Sequence, residues 1–152
     1  MSKPPTRYDK AIIPHFYVEG AAEAIEYYKK AFGAEELFRV ADEQGRIVHA
    51  EFTVCGSVVM MGDPLDRRFA DPRKLGACTV GLHVFVDDNA ALLRRAVACG
   101  SEEIYPPTDN HYGASSASLR DPFGQVWVLV SWKEDLSPAE IEALSPSTRL
   151  GP

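Results

Sequence analysis

At 152 residues the chain is long enough for one domain, or two fused half-domains, that buries roughly two-thirds of its unfolded surface without disulfide or metal staples. A hydrophobic share of 45% with 25% charged residues excludes a disordered or fibrous chain. Against 22 Asp and Glu stand 16 Lys and Arg, and the net charge of −6 removes the general drive toward phosphate backbones, which argues against nucleic acid as a partner.

Residues 1–10 form a polar extension of mixed charge with no apolar segment of signal-peptide length after it, so a cytoplasmic location is expected. The longest apolar run, Val126 to Val130, falls far short of the roughly 20 residues that cross a bilayer, and no membrane partner is expected. Cys55, Cys78 and Cys99 are an odd number without C-x-x-C spacing, which suits reduced, small core residues better than a disulfide framework or zinc knot.

A first unit is expected over 11–62. Residues 11–18 have strand length and branched and aromatic content; Ala24, Ile25, Tyr28 and Phe32 then fall on one helical face, and Gly33 stops the helix. Three strands follow at 36–41, 46–54 and 57–62, the last two joined through Cys55-Gly56. Residues 63–77, rich in Asp, Arg, Pro and Gly, read as a linker. A second unit, 78–132, repeats the plan: a strand at 79–86, a helix carrying Leu92, Leu93, Ala96 and Val97 before Gly100, and strands at 102–105, 115–120 and 125–131. Its loop 106–113 is long and polar, and Asp121-Pro122-Phe123-Gly124 is its hairpin turn. In the C-terminal region, 133–152, Ser137-Pro138-Ala139-Glu140 has capping-box spacing and predicts a short helix to Leu144, then a frayed tail.

The two units are copies. His15-Phe16-Tyr17-Val18-Glu19 recurs 68 positions on as His83-Val84-Phe85-Val86-Asp87; Gly45 and Gly56 recur at the same offset as Gly113 and Gly124, and Gly33 recurs at 67 as Gly100. The fold class is therefore α+β, with two tandem βαβββ units making a cupped, curved mixed sheet.

A curved sheet with a helix on one face leaves the other free to enclose something. Period two in the first strand assigns Ile12, Phe16 and Val18 to the helix and Ile13, His15 and Tyr17 to the open face; the fifth strand leaves Gly81, His83 and Phe85 there. Pairing outward from Cys55-Gly56 puts His49, Glu51, Thr53, Val58 and Met60 on that face. Pairing Arg120 with Gln125 in the second hairpin groups Ala117, Leu119, Val126 and Val128, and the 68-residue offset carries Glu51 to Leu119. Trp127 alternates with Val128 and is expected in the core.

The duplication, the opening Ile13 to Val18, the helix Glu26-Tyr27-Tyr28-Lys29-Lys30-Ala31-Phe32-Gly33-Ala34, the segment Gly45-Arg46-Ile47-Val48-His49-Ala50-Glu51, and Asp121-Pro122-Phe123-Gly124-Gln125-Val126-Trp127 with upstream Tyr112-Gly113 resemble the vicinal oxygen chelate superfamily. That is the glyoxalase, bleomycin-resistance and extradiol-dioxygenase group, and the resemblance is to its PhnB-like branch, over residues 10 to 144. It implies a homodimer, since such units commonly pair to close their cups. It also implies metal ligands on the first and last strands of each unit. At those positions the chain has Ile13, Gly81, Met60 and Val128, none suited to a hard divalent ion. Gln125 stands where the branch often has His.

Two readings of the site stay open. In one, a cup lined by Ile13, His15, Tyr17, His49, Glu51, Met60, His83, Phe85, Tyr112, Leu119 and Val128 binds a small, partly apolar or aromatic molecule without metal or other cofactor. In the other, His15, His83 and Glu51 hold a divalent metal for a lyase, isomerase or dioxygenase reaction. Glu51 is the candidate catalytic residue: partial desolvation between Ala50 and Phe52 would raise its pKa and suit a general base, and a solvated strand-end carboxylate is the plainer reading.

Overall fold

Residues AAEAIEYYKKAF combine strong helix formers with apolar side chains at three- and four-residue spacing. They form helix α1 (Ala21–Phe32) in the computed structural model, which describes residues 5–9 and 11–144. Gly33 closes α1 at φ 67°, a left-handed conformation that glycine adopts without a Cβ penalty. Strands β1 (His15–Tyr17), β2 (Glu35–Ala41), β3 (Ile47–Val54) and β4 (Ser57–Gly62) make a sheet of order β1-β4-β3-β2, with β1 parallel to β4 and the rest antiparallel.

A short helix α2 (Pro72–Leu75), capped by the Asp71 carboxylate on the Arg73 N–H at 2.7 Å, lies within the segment read as a linker. The second unit then repeats the first as β5 (Gly81–Phe85), α3 (Asn89–Ala98), β6 (Glu102–Asp109), β7 (Ala114–Arg120) and β8 (Val126–Trp132), in the order β5-β8-β7-β6. His15 pairs with Met60 and His83 with Val128, so the 68-residue offset read from the sequence is also a structural register. Helix α4 (Pro138–Leu144) follows, with Ser137 and Glu140 in the capping-box contact. The tail expected to fray, 145–152, lies outside the described residues. Among the described residues no helix is long and apolar enough to cross a membrane.

Several local expectations are corrected. Strand β1 starts only after Pro14, which has no N–H to contribute to a ladder, and Ile12 is fully exposed instead of packing on the helix. Strand β6 runs on through Pro106 and Pro107 to Asp109; it is an edge strand, where prolines are tolerated, and its register shifts between Tyr105 and Thr108. Two of the cysteines are not core, Cys55 being exposed and Cys78 half-buried, whereas Cys99, also half-buried, packs against the core.

Cys55 and Gly56 sit at φ 48° and 80°, the left-handed pair of a two-residue hairpin turn, with Val54 paired to Ser57. The second hairpin is different. Arg120 pairs with Val126, so three residues, Pro122 to Gly124, lie between the closing pair Asp121 and Gln125. An odd change in loop length moves every upstream side chain to the opposite face. Ala117 and Leu119 therefore point into the core, at 2% and 0% exposure, and Ser118 takes the place expected for Leu119.

One core joins both units. Trp127 is buried as expected, with its ring 4.7 Å from Phe32 and 5.5 Å from Tyr28 of α1. Tyr28 and Trp127 both donate to one oxygen of the buried Asp121, at 2.7 and 2.9 Å, while its other oxygen accepts the Phe123 and Gln125 N–H groups. The Asp-Pro-Phe-Gly turn is thus a junction between the halves as well as a reversal of the chain.

Candidate functional site

In the first sheet, hydrogen-bond register lays His15, Met60, Glu51 and Phe38 in one row across β1, β4, β3 and β2. Successive side chains alternate faces, so this row and its neighbours Tyr17, His49, Thr53 and Val58 all lie opposite the helix. The sequence-derived grouping of His49, Glu51, Thr53, Val58 and Met60 holds. The aromatic members stack: His15 lies 4.5 Å from Tyr17 at 15° between planes, and Tyr17 lies 3.9 Å from Phe69 of the linker at 14°. The His49 ring meets His15 edge-on at 5.4 Å.

Glu51 is only 2% exposed, and the reason is a contact that nothing in the local sequence announces. A single 3-10 turn, Thr6–Tyr8, lies over the sheet. The Tyr8 hydroxyl sits 2.5 and 2.6 Å from the two Glu51 oxygens, and Arg7 Nε donates to one of them at 3.4 Å. His49 Nε2 is 3.2 Å from the other. Burial opposes ionisation of Glu51, yet the hydrogen bonds from Tyr8, His49 and Arg7 outweigh it and hold the carboxyl below the usual glutamate range. The raised value that would have suited a general base is therefore reversed, and Glu51 is an anion at neutral pH.

Burial, reinforced by the neighbouring His49, lowers the pKa of His15, which keeps that imidazole neutral. Its Nε2 is buried and meets no hydrogen-bonding group among the described residues. His15 and Tyr17 line a cavity of about 290 Å³ with Phe69, Cys78 and Gln125, whereas Ile13 and His83 line a groove of about 530 Å³ between the units with Val58 and Phe85.

The structure thus does not gather the sequence-derived set into one cup. His83, Phe85 and Val128 lie on the open face of the second sheet beside Ser116 and Ser118; Phe85 is 56% exposed, and its ring is parallel to that of Trp132. Tyr112 is half-buried at that sheet's end, accepting from Asn110 at 2.7 Å and set edge-on to Trp132. Leu119 is core. Among the described residues no three His, Cys, Asp or Glu side chains converge to hold a metal, and His15, Glu51 and His83 in particular do not.

Arg7, Tyr8 and Phe69 are the site residues that sequence reasoning missed. Tyr8 lies 43 positions from Glu51, and no periodicity links a terminal turn to a strand so distant.

A family model described as the Glyoxalase/Bleomycin resistance protein/Dioxygenase superfamily matches residues 12–129. An uncharacterized protein of Mycobacterium bovis is 33% identical over 143 residues, covering 91% of this chain and 94% of its own. Among solved structures, TioX from Micromonospora sp. ML1 superposes with TM-score 0.63 at 20% identity, over 84% of this chain and 99% of that one. A PhnB protein from Bacillus cereus gives TM-score 0.60 at 19%, over 79% and 98%. At these identities the solved structures establish the fold.

Proposed function

The chain belongs to the glyoxalase/bleomycin resistance protein/dioxygenase superfamily, and from that premise we propose that it binds a small, partly apolar or aromatic molecule, without metal, on the open face of its first sheet. One observation carries the reading. A buried carboxylate and a buried, unpartnered imidazole nitrogen, Glu51 and His15 Nε2, stand on a sheet face beside the stacked rings of Tyr17 and Phe69. An apolar wall with a few convergent polar groups is the usual make-up of a small-molecule site. His49 and Met60 share that face; Ile13 lines the groove between the units with His83 and Phe85, and Tyr112 and Val128 belong to the second sheet. The same reading places the protein in the cytoplasm, where its three free thiols suit a reducing setting.

Indole, a neutral aromatic probe, is expected to shift the His15 and His49 ring resonances saturably, and Tyr17→Ala to weaken that binding about three- to tenfold. Absence of any shift overturns the reading. Divalent ions are expected to leave the melting temperature of tag-free protein unchanged. A metal at about a hundred times its dissociation constant would add about 2.7 kcal/mol, or roughly 5–10 °C for a domain of this size. Such a rise, lost in both His15→Ala and His83→Ala, would favour a metal-dependent lyase, isomerase or dioxygenase instead.

The protein is further proposed to be a homodimer. The open face of the second sheet exposes Phe85 and Trp132 by more than half, and Tyr105 by 69%, an apolar surface that a symmetric partner would cover. Light scattering should give twice the 16.7 kDa chain mass; a monomer at micromolar concentration would overturn this.

A further inference from the structure

The turn Thr6–Tyr8 buries none of its own residues, and its backbone hydrogen bonds are local: Tyr8 N–H to Pro5, Asp9 N–H to Thr6 and Ala11 N–H to Tyr8. Among the described residues, the side-chain hydrogen bonds that tie it to the sheet all end on Glu51. Its two contacting side chains form a compact unit, with the Arg7 guanidinium 4.3 Å from the centre of the Tyr8 ring. A phenol and a cation stacked on it are presented together to one buried carboxylate.

Lifting this segment would uncover Glu51, still bonded to His49, and among the described residues the turn's side chains hydrogen-bond to no other side chain of the sheet. The segment therefore covers the anionic part of the first sheet's open face as a ligand would, and its chemistry states what that part selects. We propose that Arg7 and Tyr8 are a built-in competitor at Glu51, and that the ligands this face accepts are phenols carrying a cationic group, which displace them. This rests on the reading of the first sheet's open face as a binding site and adds to it the class of ligand.

The carboxylate accepts and cannot donate, so it takes a donor, and its own charge makes the hydrogen bond from a phenol hydroxyl, the donor Tyr8 supplies, charge-assisted; a cation beside it adds coulombic attraction. A ligand with a carboxylate in place of the cation would meet Glu51 as a like charge, at the cost of desolvating both.

The test uses the full chain and four probes: tyramine, which has phenol and ammonium; phenethylamine, which lacks the hydroxyl; 4-hydroxyphenylacetate, which reverses the charge; and indole. Binding is followed through the His15 and His49 ring resonances. Tyramine is expected to bind best of the first three. Its affinity should rise about tenfold in Tyr8→Ala and in Tyr8→Phe, because the open form no longer has to be selected from a minor population. Glu51→Gln should remove the preference for tyramine over phenethylamine. Equal tyramine affinity in wild type and both Tyr8 variants, or no discrimination among the three, overturns the proposal even when indole still binds and the reading of the face as a binding site stands. If neither indole nor tyramine shifts the two histidines in any variant, both fall together.

Discussion

Asp121→Ala is expected to cost about 3–5 kcal/mol, a large share of the roughly 5–15 kcal/mol by which a domain of this size is stable. The carboxylate accepts four hydrogen bonds, two from the turn it closes and two from side chains, Tyr28 and Trp127, that sit in the shared core. Alanine leaves all four donors facing a cavity, and each buried donor left unpaired costs about 1–3 kcal/mol; the turn N–H groups recover part of this from water. Chemical denaturation should show the midpoint fall with the m-value unchanged, and the melting temperature fall by roughly 8–15 °C. Asp121→Asn is expected to lie between. Its oxygen still serves the two turn N–H groups, and Tyr28 can rotate its hydroxyl to accept, but the new amide faces the Trp127 N–H donor to donor. A loss below about 1 kcal/mol in the alanine variant would show that the junction does not hold the halves together.

The same residue has a pH signature of definite sign. Burial raises the Asp121 pKa, and the bonds from Trp127, Tyr28 and the turn N–H groups offset this only in part. The folded state therefore binds its proton more tightly than the unfolded chain does. The stabilisation is full below the ordinary aspartate range and is lost as pH rises through the raised native value. Glu36 and Asp66, whose pKa values are lowered to about 2 by Arg39 and Arg68, run the opposite way and lose stability as acid approaches that value. The difference between wild type and Asp121→Asn isolates the first effect: the wild type should lose stability relative to the variant across that window. An unchanged difference would mean that the native carboxyl titrates as it does in the unfolded chain.

Much of the architecture is legible because it is written twice. The recurrence of His15 to Glu19 as His83 to Asp87 predicts equivalent registers, and the pairs His15 with Met60 and His83 with Val128 deliver them. The first-sheet face is legible for a related reason: a two-residue turn leaves a single register, and Glu51 with Met60 follows from Val54 with Ser57. What closes that face is not legible. Tyr8 meets Glu51 across 43 positions and Phe69 meets Tyr17 from within the linker, and neither contact leaves a periodic trace. The sign of the Glu51 shift follows from those contacts, because burial alone would have raised it. Nor do residue types show whether the faces of two copies form one cup. His15 and His83 occupy equivalent strand positions yet line different cavities.

The second hairpin tests the limit of such reasoning at a single step. Sequence offset alone carries Glu51 to Leu119, whereas the structure carries it to Ser118, since each of these pairs with its own sheet's counterpart, Met60 or Val128. The two assignments make opposite predictions for neighbouring residues. With Leu119 fully buried among the helix-facing side chains, Leu119→Ala should cost about 2–5 kcal/mol through lost transfer energy and the cavity left behind. Ser118→Ala, on the open face, should stay within about 0.5 kcal/mol. Had Arg120 paired with Gln125, Leu119 would line the open face, its truncation would be nearly silent, and Ser118 would be a buried hydroxyl whose removal is felt. Urea midpoints for the two variants decide between the registers. A silent Leu119→Ala would return Leu119 to the ligand face and withdraw Ser118 from it.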